Sequence, residues 1–286
     1  MEHKLGLGCM GMAFRNEAES EEVIRTALEN GISFLNTGDF YSSGESEMII
    51  GNALKGIPRD KYSVSLKFGG LMSPDGIFYG LDVHPDRVKN YLTRSLKRLH
   101  LDYVDLYQPC RIDQGIPVEE TIGAVGELVK KGYVKSIVIS EVDADTLVKA
   151  NDTPPISCVE MDYSLVNRRI ESEVLPTARR LGIGIVAFGI IARGLLQQIE
   201  TLRQIAEEKQ ITVAQLAYAW VLSKGDDILP LIGTTKASHF KESVKAQDIT
   251  LSVEDVERIE AAVPTGQTMG TGIRRLLFRN GSIVKG

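Results

Sequence analysis

Tyr41 and Lys67 are the residues in this chain whose types and spacing point most directly to chemistry. From Ser33 the chain reads S-F-L-N-T-G-D-F-Y-S-S-G-E-S-E, a short apolar strand ending in polar residues. After a helical run, Y-S-V-S-L-K delivers Lys67 at the end of a second strand. Two consecutive parallel strands joined by a helix bring both residues to one rim of a sheet, where α/β proteins keep their chemistry. A tyrosine beside a lysine is a usable proton donor, because the ammonium stabilises the phenolate left behind. Such an acid suits reduction of a carbonyl, in which a hydride reaches carbon and the oxygen must take a proton. The same spacing fits a boundary tyrosine that keeps its hydroxyl in water.

Composition narrows the alternatives. The 286 residues include 33 Lys and Arg against 38 Asp and Glu, a formal net charge of −5. That balance argues against nucleic acid as a partner, which would require a concentrated basic face. Only the tail is locally basic, with Arg274, Arg275, Arg279 and Lys285, and it reads as a solvated end. No run approaches the roughly 18 apolar residues of a membrane span and no leader precedes the first strand, so the expected location is the cytoplasm, with no membrane partner. Cys9, Cys110 and Cys158 form no C-x-x-C pair, which suits a reducing compartment. His3, His84, His100 and His239 lack ligand spacing, so no metal site is expected.

Placing Tyr41 and Lys67 falls to an alternation of strands and helices. Apolar runs predict strands at 32–37, 62–68, 104–110, 134–140, 156–161, 183–188 and 228–232, after a short first strand that ends in glycines. Helical spacing predicts helices at 20–30, 45–54, 88–99, 118–131, from about 144, and at 170–181. Thr212 with Gln215 caps a helix running to 222, Ser252 with Asp255 opens one through 262, and 69–84 reads as a long loop. Runs such as S-I-V-I-S and G-I-V-A-F are apolar throughout, as when both faces of a strand are buried. Eight such units predict an α/β fold, a (β/α)8 TIM barrel forming one domain over 1–286, with the helix and tail from about 252 packing over or beside it. A doubly wound open sheet is the alternative. Gly6, Gly8 and Gly11 match G-x-G-x-x-G, but too little strand precedes them to favour a Rossmann fingerprint.

In a barrel of this kind the site lies where strands end. Those ends carry Asn36, Asp39 and Tyr41, then Lys67, then Cys110, Arg111 and Asp113. Further on come Ser140 and Glu141, Glu160 and Tyr163, Phe188 and Arg193, and Gly233, Thr234 and Lys236.

The motifs L-G-L-G-C-M-G-M, F-L-N-T-G-D-F-Y, L-K-F-G, D-Y-V-D-L-Y, G-Y-V-K-S-I-V-I-S, V-A-F-G-I-I-A-R-G-L-L, Q-L-A-Y-A-W-V and L-I-G-T-T-K, in that order between Leu5 and Val263, resemble the aldo-keto reductase family. The resemblance implies a (β/α)8 barrel that binds a nicotinamide cofactor, usually NADPH rather than NADH, without a Rossmann fold. It also implies reversible reduction of a small-molecule aldehyde or ketone. Of the family's Asp, Tyr, Lys and His tetrad, Tyr41 and Lys67 match. Asn36 stands in the place of the aspartate and Cys110 in that of the histidine. Asn36 can hydrogen-bond Lys67 but cannot balance its charge, so a buried Lys67 is expected to lose its proton more easily. Asp39 is the alternative source of the missing carboxylate. Cys110 is expected to act as a small buried apolar residue, with Arg111 biasing the pocket towards anionic or polar substrates.

By the same resemblance Ser140 would hold the nicotinamide carboxamide, with Glu141 and Glu160 where Asn and Gln are commoner. Phe188 would stack on the nicotinamide ring, and Arg193 would join the cofactor contacts. Gly233, Thr234 and Lys236 would grip the adenosine phosphate, and His239 falls where an arginine often sits. After Gly194 the chain is short where the family usually carries a long loop over the cofactor. Two readings follow: an NADPH-dependent reductase, or a weakened barrel that binds cofactor as a redox sensor or regulatory subunit. Oligomeric state, monomer or homo-oligomer, is open in both.

Overall fold

Strands that are apolar on both faces must be covered on both, and this chain achieves it by curling its parallel strands into a closed barrel with helices outside. The computed structural model describes residues 4–152, 154–263 and 276–284. In chain order the strands are β1 (Gly6–Gly8), β2 (Phe34–Gly38), β3 (Ser63–Phe68), β4 (Gly70–Met72), β5 (Phe78–Leu81), β6 (Val104–Pro109), β7 (Val134–Ser140), β8 (Ile156–Asp162), β9 (Gly184–Phe188), β10 (Ile228–Gly233), β11 (Leu277–Arg279) and β12 (Ser282–Val284). The helices are α1 (Glu17–Glu29), α2 (Glu45–Ala53), α3 (Pro85–Leu99), α4 (Val118–Lys130), α5 (Ala144–Asn151), α6 (Val174–Leu181), α7 (Glu200–Glu208), α8 (Val213–Leu222), α9 (Ala237–Ser243) and α10 (Val253–Ala262). The barrel closes in the order β1-β10-β9-β8-β7-β6-β3-β2, the expected (β/α)8 arrangement and not an open sheet. Both predicted capping boxes form, at Thr212 with Gln215 and at Ser252 with Asp255.

The barrel interior is layered. Phe34, Val138, Cys158, Val186, Leu229 and Leu231 make an apolar plug. Side chains alternate along a strand, so the residues two further on face the same interior: Asn36 after Phe34, Ser140 after Val138, Glu160 after Cys158 and Phe188 after Val186. A polar layer therefore lies above a dry one. Gly6 belongs to the plug, because a Cβ there would come within 2.8 Å of the Leu231 and Phe34 side chains. Its place in the glycine motif reflects close packing.

Three local expectations change. The segment 69–84 forms the hairpin β4–β5, which continues into a four-stranded sheet, β11-β12-β5-β4. Its stabilising partner lies about 200 residues away, where Ser282 pairs with Gly80. The Asp113 carboxylate holds this distant hairpin by accepting from the backbone N–H groups of Asn280 (2.8 Å) and Gly281 (2.5 Å). The single helix expected at 170–181 breaks into a 3-10 turn at Arg169–Glu171 and then α6. An unexpected α7 fills the run before Thr212, and the chain enters it directly after a 3-10 segment, Ala192–Gln198. Arg274, Arg275 and Lys285 of the basic tail lie outside the described residues. Among the described residues no helix is long and apolar enough to cross a membrane, and no cluster of His, Cys, Asp and Glu could hold a metal ion.

Candidate active site

A cavity of about 650 Å³ opens at the carboxyl ends of the barrel strands. Its walls include Asn36, Tyr41, Lys67, Cys110, Arg111, Glu160, Phe188, Arg193, Gly233, Thr234 and His239, so most of the strand-end residues converge. Ser140, Glu141 and Lys236 are not on its walls. Sequence reasoning missed Asp162, Tyr218, Thr235, Phe40, Phe78 and Leu276 there. Phe78 comes from the hairpin and Leu276 from the segment before β11, so the distant sheet supplies one side of the mouth.

Lys67 is the centre of the polar layer. Its ammonium donates to Asn36 Oδ1 at 2.5 Å and pairs with Glu160 Oε1 at 2.8 Å. Glu160 Oε2 in turn accepts from Asn36 Nδ2 and from Gln108 Nε2, each at 2.8 Å. Lys67, Asn36 and Glu160 thus close a ring inside the barrel, with the lysine and glutamate side chains only 5% and 2% exposed. This corrects the expectation of an unpaired lysine. Burial alone would pull the Lys67 ammonium down, but the Glu160 carboxylate, with a further contribution from Tyr41, more than offsets it and the pKa is raised. Asp39 does not take this role. Its carboxylate accepts weakly from the Gly69 N–H at 3.4 Å, and burial, reinforced by Glu47, pushes it up to about 8.

Tyr41 follows β2 and lies against Lys67, whose Nζ is 5.7 Å from the ring centroid and interacts with the hydroxyl. Phe40 meets its ring edge-on at 4.8 Å and is itself backed by Phe78 at 5.8 Å, so the hairpin props the tyrosine. Ser42 and Ser43, directly after it, have φ of 47° and 55°, a left-handed conformation that costs serine energy and turns the chain sharply into α2. Burial raises the Tyr41 pKa, Lys67 pulls it down, and Glu160 pushes it up again. The phenol therefore keeps its proton near neutrality.

The remaining positions divide. Cys110 is buried, and desolvation pushes its thiol up to about 12, as suits an inert apolar group. Arg111 lies on the cavity wall beside it and donates to the Cys110 carbonyl at 2.6 Å. Glu141 (φ 53°) has both carboxylate oxygens engaged away from the cavity, one by the Asp162 N–H at 2.6 Å and one by Arg169 at 2.5 Å. Ser140 Oγ is buried with no hydrogen-bond partner. Phe188, Arg193, Thr234 and His239 lie on the walls, while Lys236 is exposed near the mouth.

These residues suit a nicotinamide dinucleotide in part. Phe188 offers a flat apolar face, and Arg193, Thr234, Thr235 and His239 offer donors for phosphate along the wall. The orphaned Ser140 hydroxyl is a polar group left over beside the polar layer. Glu160, by contrast, is committed to Lys67, Asn36 and Gln108, and Glu141 to Arg169. The role of Glu160 had one local signal, its place two residues beyond inward-facing Cys158.

Comparison with known proteins gives a consistent result. The model of the aldo/keto reductase family matches residues 4–264. The Glycine max protein named "Probable aldo-keto reductase 1" is 35% identical, over 93% of this chain and 87% of that protein. Among solved structures, a thermostable aldo-keto reductase crystallised with the inhibitor epalrestat superposes with a TM-score of 0.81 at 29% identity, covering 91% of this chain and 95% of that one. The holo form of an aldo-keto reductase from Bacillus halodurans gives 0.81 at 26% identity, covering 93% and 94%.

Proposed function

Because the chain belongs to the aldo/keto reductase family, we propose that it reduces a small aldehyde or ketone to the alcohol with a nicotinamide cofactor, NADPH in preference to NADH. The observation that carries this reading is a protonated tyrosine held against a buried, charged lysine on the wall of a cavity with Phe188 among its lining residues. When bound, the cofactor supplies the hydride. Phe188 would hold the nicotinamide ring, Ser140 its carboxamide, and Arg193, Gly233, Thr234 and His239 the adenosine and phosphate end, with Lys236 near enough to favour the extra phosphate.

Tyr41 donates its proton to the carbonyl oxygen as negative charge develops there, and Lys67 stabilises the phenolate that remains. Asn36 orients Lys67. Cys110 contributes volume: with its thiol pushed up to about 12 it keeps its own proton, and a thiol is a weak hydrogen-bond donor. Arg111, on the same wall, gives the pocket a positive side that suits polar or anionic substrates.

The test is titration with NADPH and with NADH, followed by fluorescence, with a panel of aldehydes added. Substrate-dependent loss of the nicotinamide signal, with NADPH the tighter ligand, is the expected result. Tyr41→Phe should keep cofactor affinity while losing roughly 10²- to 10⁴-fold in turnover. Tight binding without turnover in the wild-type protein would favour the sensor reading, and binding of neither nucleotide would sink both.

A further inference from the structure

We infer that Glu160 is the counter-charge that keeps Lys67 an ammonium, and that Asn36 is asparagine because Glu160 is a glutamate. The two residues form one charge unit spanning the barrel, with the single carboxylate carried on β8. The inference deepens the reductase reading and rests on it for its kinetic consequences.

The geometry is closed and leaves little choice at either position. Asn36 presents its oxygen to Lys67 at 2.5 Å and its amide nitrogen to Glu160 Oε2 at 2.8 Å. An aspartate at 36 would set a second carboxylate oxygen about where that nitrogen now donates. Two anionic oxygens in hydrogen-bond contact repel strongly, and one of the pair would have to take up a proton. With glutamate at 160, residue 36 must therefore donate on that side and accept on the other, which asparagine does and aspartate does not. Conversely, a neutral residue at 160 with Asn36 retained would leave Lys67 without an anion at contact distance in a site almost free of solvent. An isolated buried ammonium tends to shed its proton. Gln108 at 2.8 Å and Ser65, which receives weaker bonds from Asn36 and Gln108 at 3.4 and 3.3 Å, hold the unit in place.

Glu160 is a positioning residue in this account, since it acts on the phenol through Lys67. The unit can be reversed if the Gln108 amide flips, so that its oxygen, now without a partner, accepts from the amide introduced at position 160, and the carboxylate could then sit at either end. Exchanging the two side chains, Asn36→Asp with Glu160→Gln, keeps one carboxylate, one amide and one lysine. Each single change breaks the unit, one by removing the anion and the other by doubling it.

The experiment is the four-member cycle of wild type, Asn36→Asp, Glu160→Gln and the double exchange, read in two ways. In the cofactor-free protein, ¹⁵N-lysine NMR follows the Lys67 ammonium, assigned with Lys67→Met. Glu160→Gln should lower the pH at which it deprotonates by about one unit or more, and the double exchange should restore it. In turnover with NADPH, Glu160→Gln should reduce kcat roughly tenfold or more with KM for the carbonyl little changed, and the exchange should recover most of that loss. Asn36→Asp alone should bring no gain. Lys67 titration unchanged by Glu160→Gln, or a double variant no better than the worse single one, overturns the inference. If Glu160→Gln fails to fold, the exchange variant decides alone: folding with Lys67 still charged supports the unit, and failure to fold or early deprotonation overturns it. The NMR arm needs no activity, so absence of turnover in the wild type would count against the reductase reading and leave this inference standing on its own result.

Discussion

Two carboxylate–cation clusters occupy opposite ends of the barrel and use similar groups for different ends. At the carboxyl ends of the strands, Glu160 and Lys67 meet across the interior, nearly free of solvent. At the amino ends, Asp105 accepts from Arg59 at 2.5 Å and the Val64 N–H at 2.8 Å and pairs with Lys135 at 3.1 Å. Arg59 and Lys135 also lie over the Tyr103 ring, at 4.0 and 4.5 Å. These cations are 22% and 57% exposed and so are reached by water, while Asp105 between them is only 9% exposed and serves to fasten neighbouring strands. The difference lies in the cations: the Lys67 ammonium is almost wholly enclosed and answers to its immediate neighbours, whereas the Arg59 and Lys135 cations also meet solvent, although Asp105 itself is buried.

The largest effect should come from removing the buried cation. Lys67→Met strands Glu160, and breaking such a pair costs about 3–5 kcal/mol, so thermal unfolding should shift down sharply as turnover is lost. An unchanged midpoint would mean the interior is wetter than the contacts indicate.

Asp39 sharpens the contrast, being a buried carboxylate without a directly bonded cation and with one oxygen unpartnered. Its pKa is raised from 3.8 to about 8, so the folded chain keeps a proton that the unfolded chain releases. Between those values the unfolded state binds fewer protons, and the contribution of this group to stability falls as pH rises. Asp39→Asn should therefore gain nothing over wild type near the lower value, and its gain in melting temperature should grow up to the higher one. A gain independent of pH would exclude ionisation as its cause.

A smaller loss is expected at the rim. Asp105→Asn should lower stability by about 1–3 kcal/mol, because a buried carboxylate loses its charge-assisted bonds to Arg59 and the Val64 N–H, and should leave kcat and KM unchanged. A change in kcat would mean the two ends are coupled. The smallest response belongs to the thiols: burial pushes Cys9 and Cys110 up to about 12 and Cys158 up to about 11. Native protein should resist alkylation at neutral pH over times in which the unfolded chain reacts at all three.

Local patterns were legible wherever their cause is local. Unbroken apolar runs marked the barrel strands, helical spacing marked most helices, and the capping boxes at Thr212 and Ser252 formed as read. The hairpin at 70–81 was illegible because its stabilising neighbour is β12 and its anchor Asp113, both remote along the chain. Tyr41 and Lys67 were visible because adjacent strands carry them, and register sets Gly38 against Lys67. Glu160 was visible as a strand-end residue, but its partner was not, because β3 and β8 are not neighbours in the barrel.

Amino-acid order by itself therefore determined the alternation of strand and helix, the family, and which strand ends carry reactive groups, since each depends on periodicity or on residue type. Tertiary structure alone decided that Glu160 belongs to Lys67, that Glu141 turns towards Arg169, and that Asp39 keeps a proton. Those outcomes depend on which side chains face one another across a closed barrel and on how little water reaches them, and both are set only once the barrel closes.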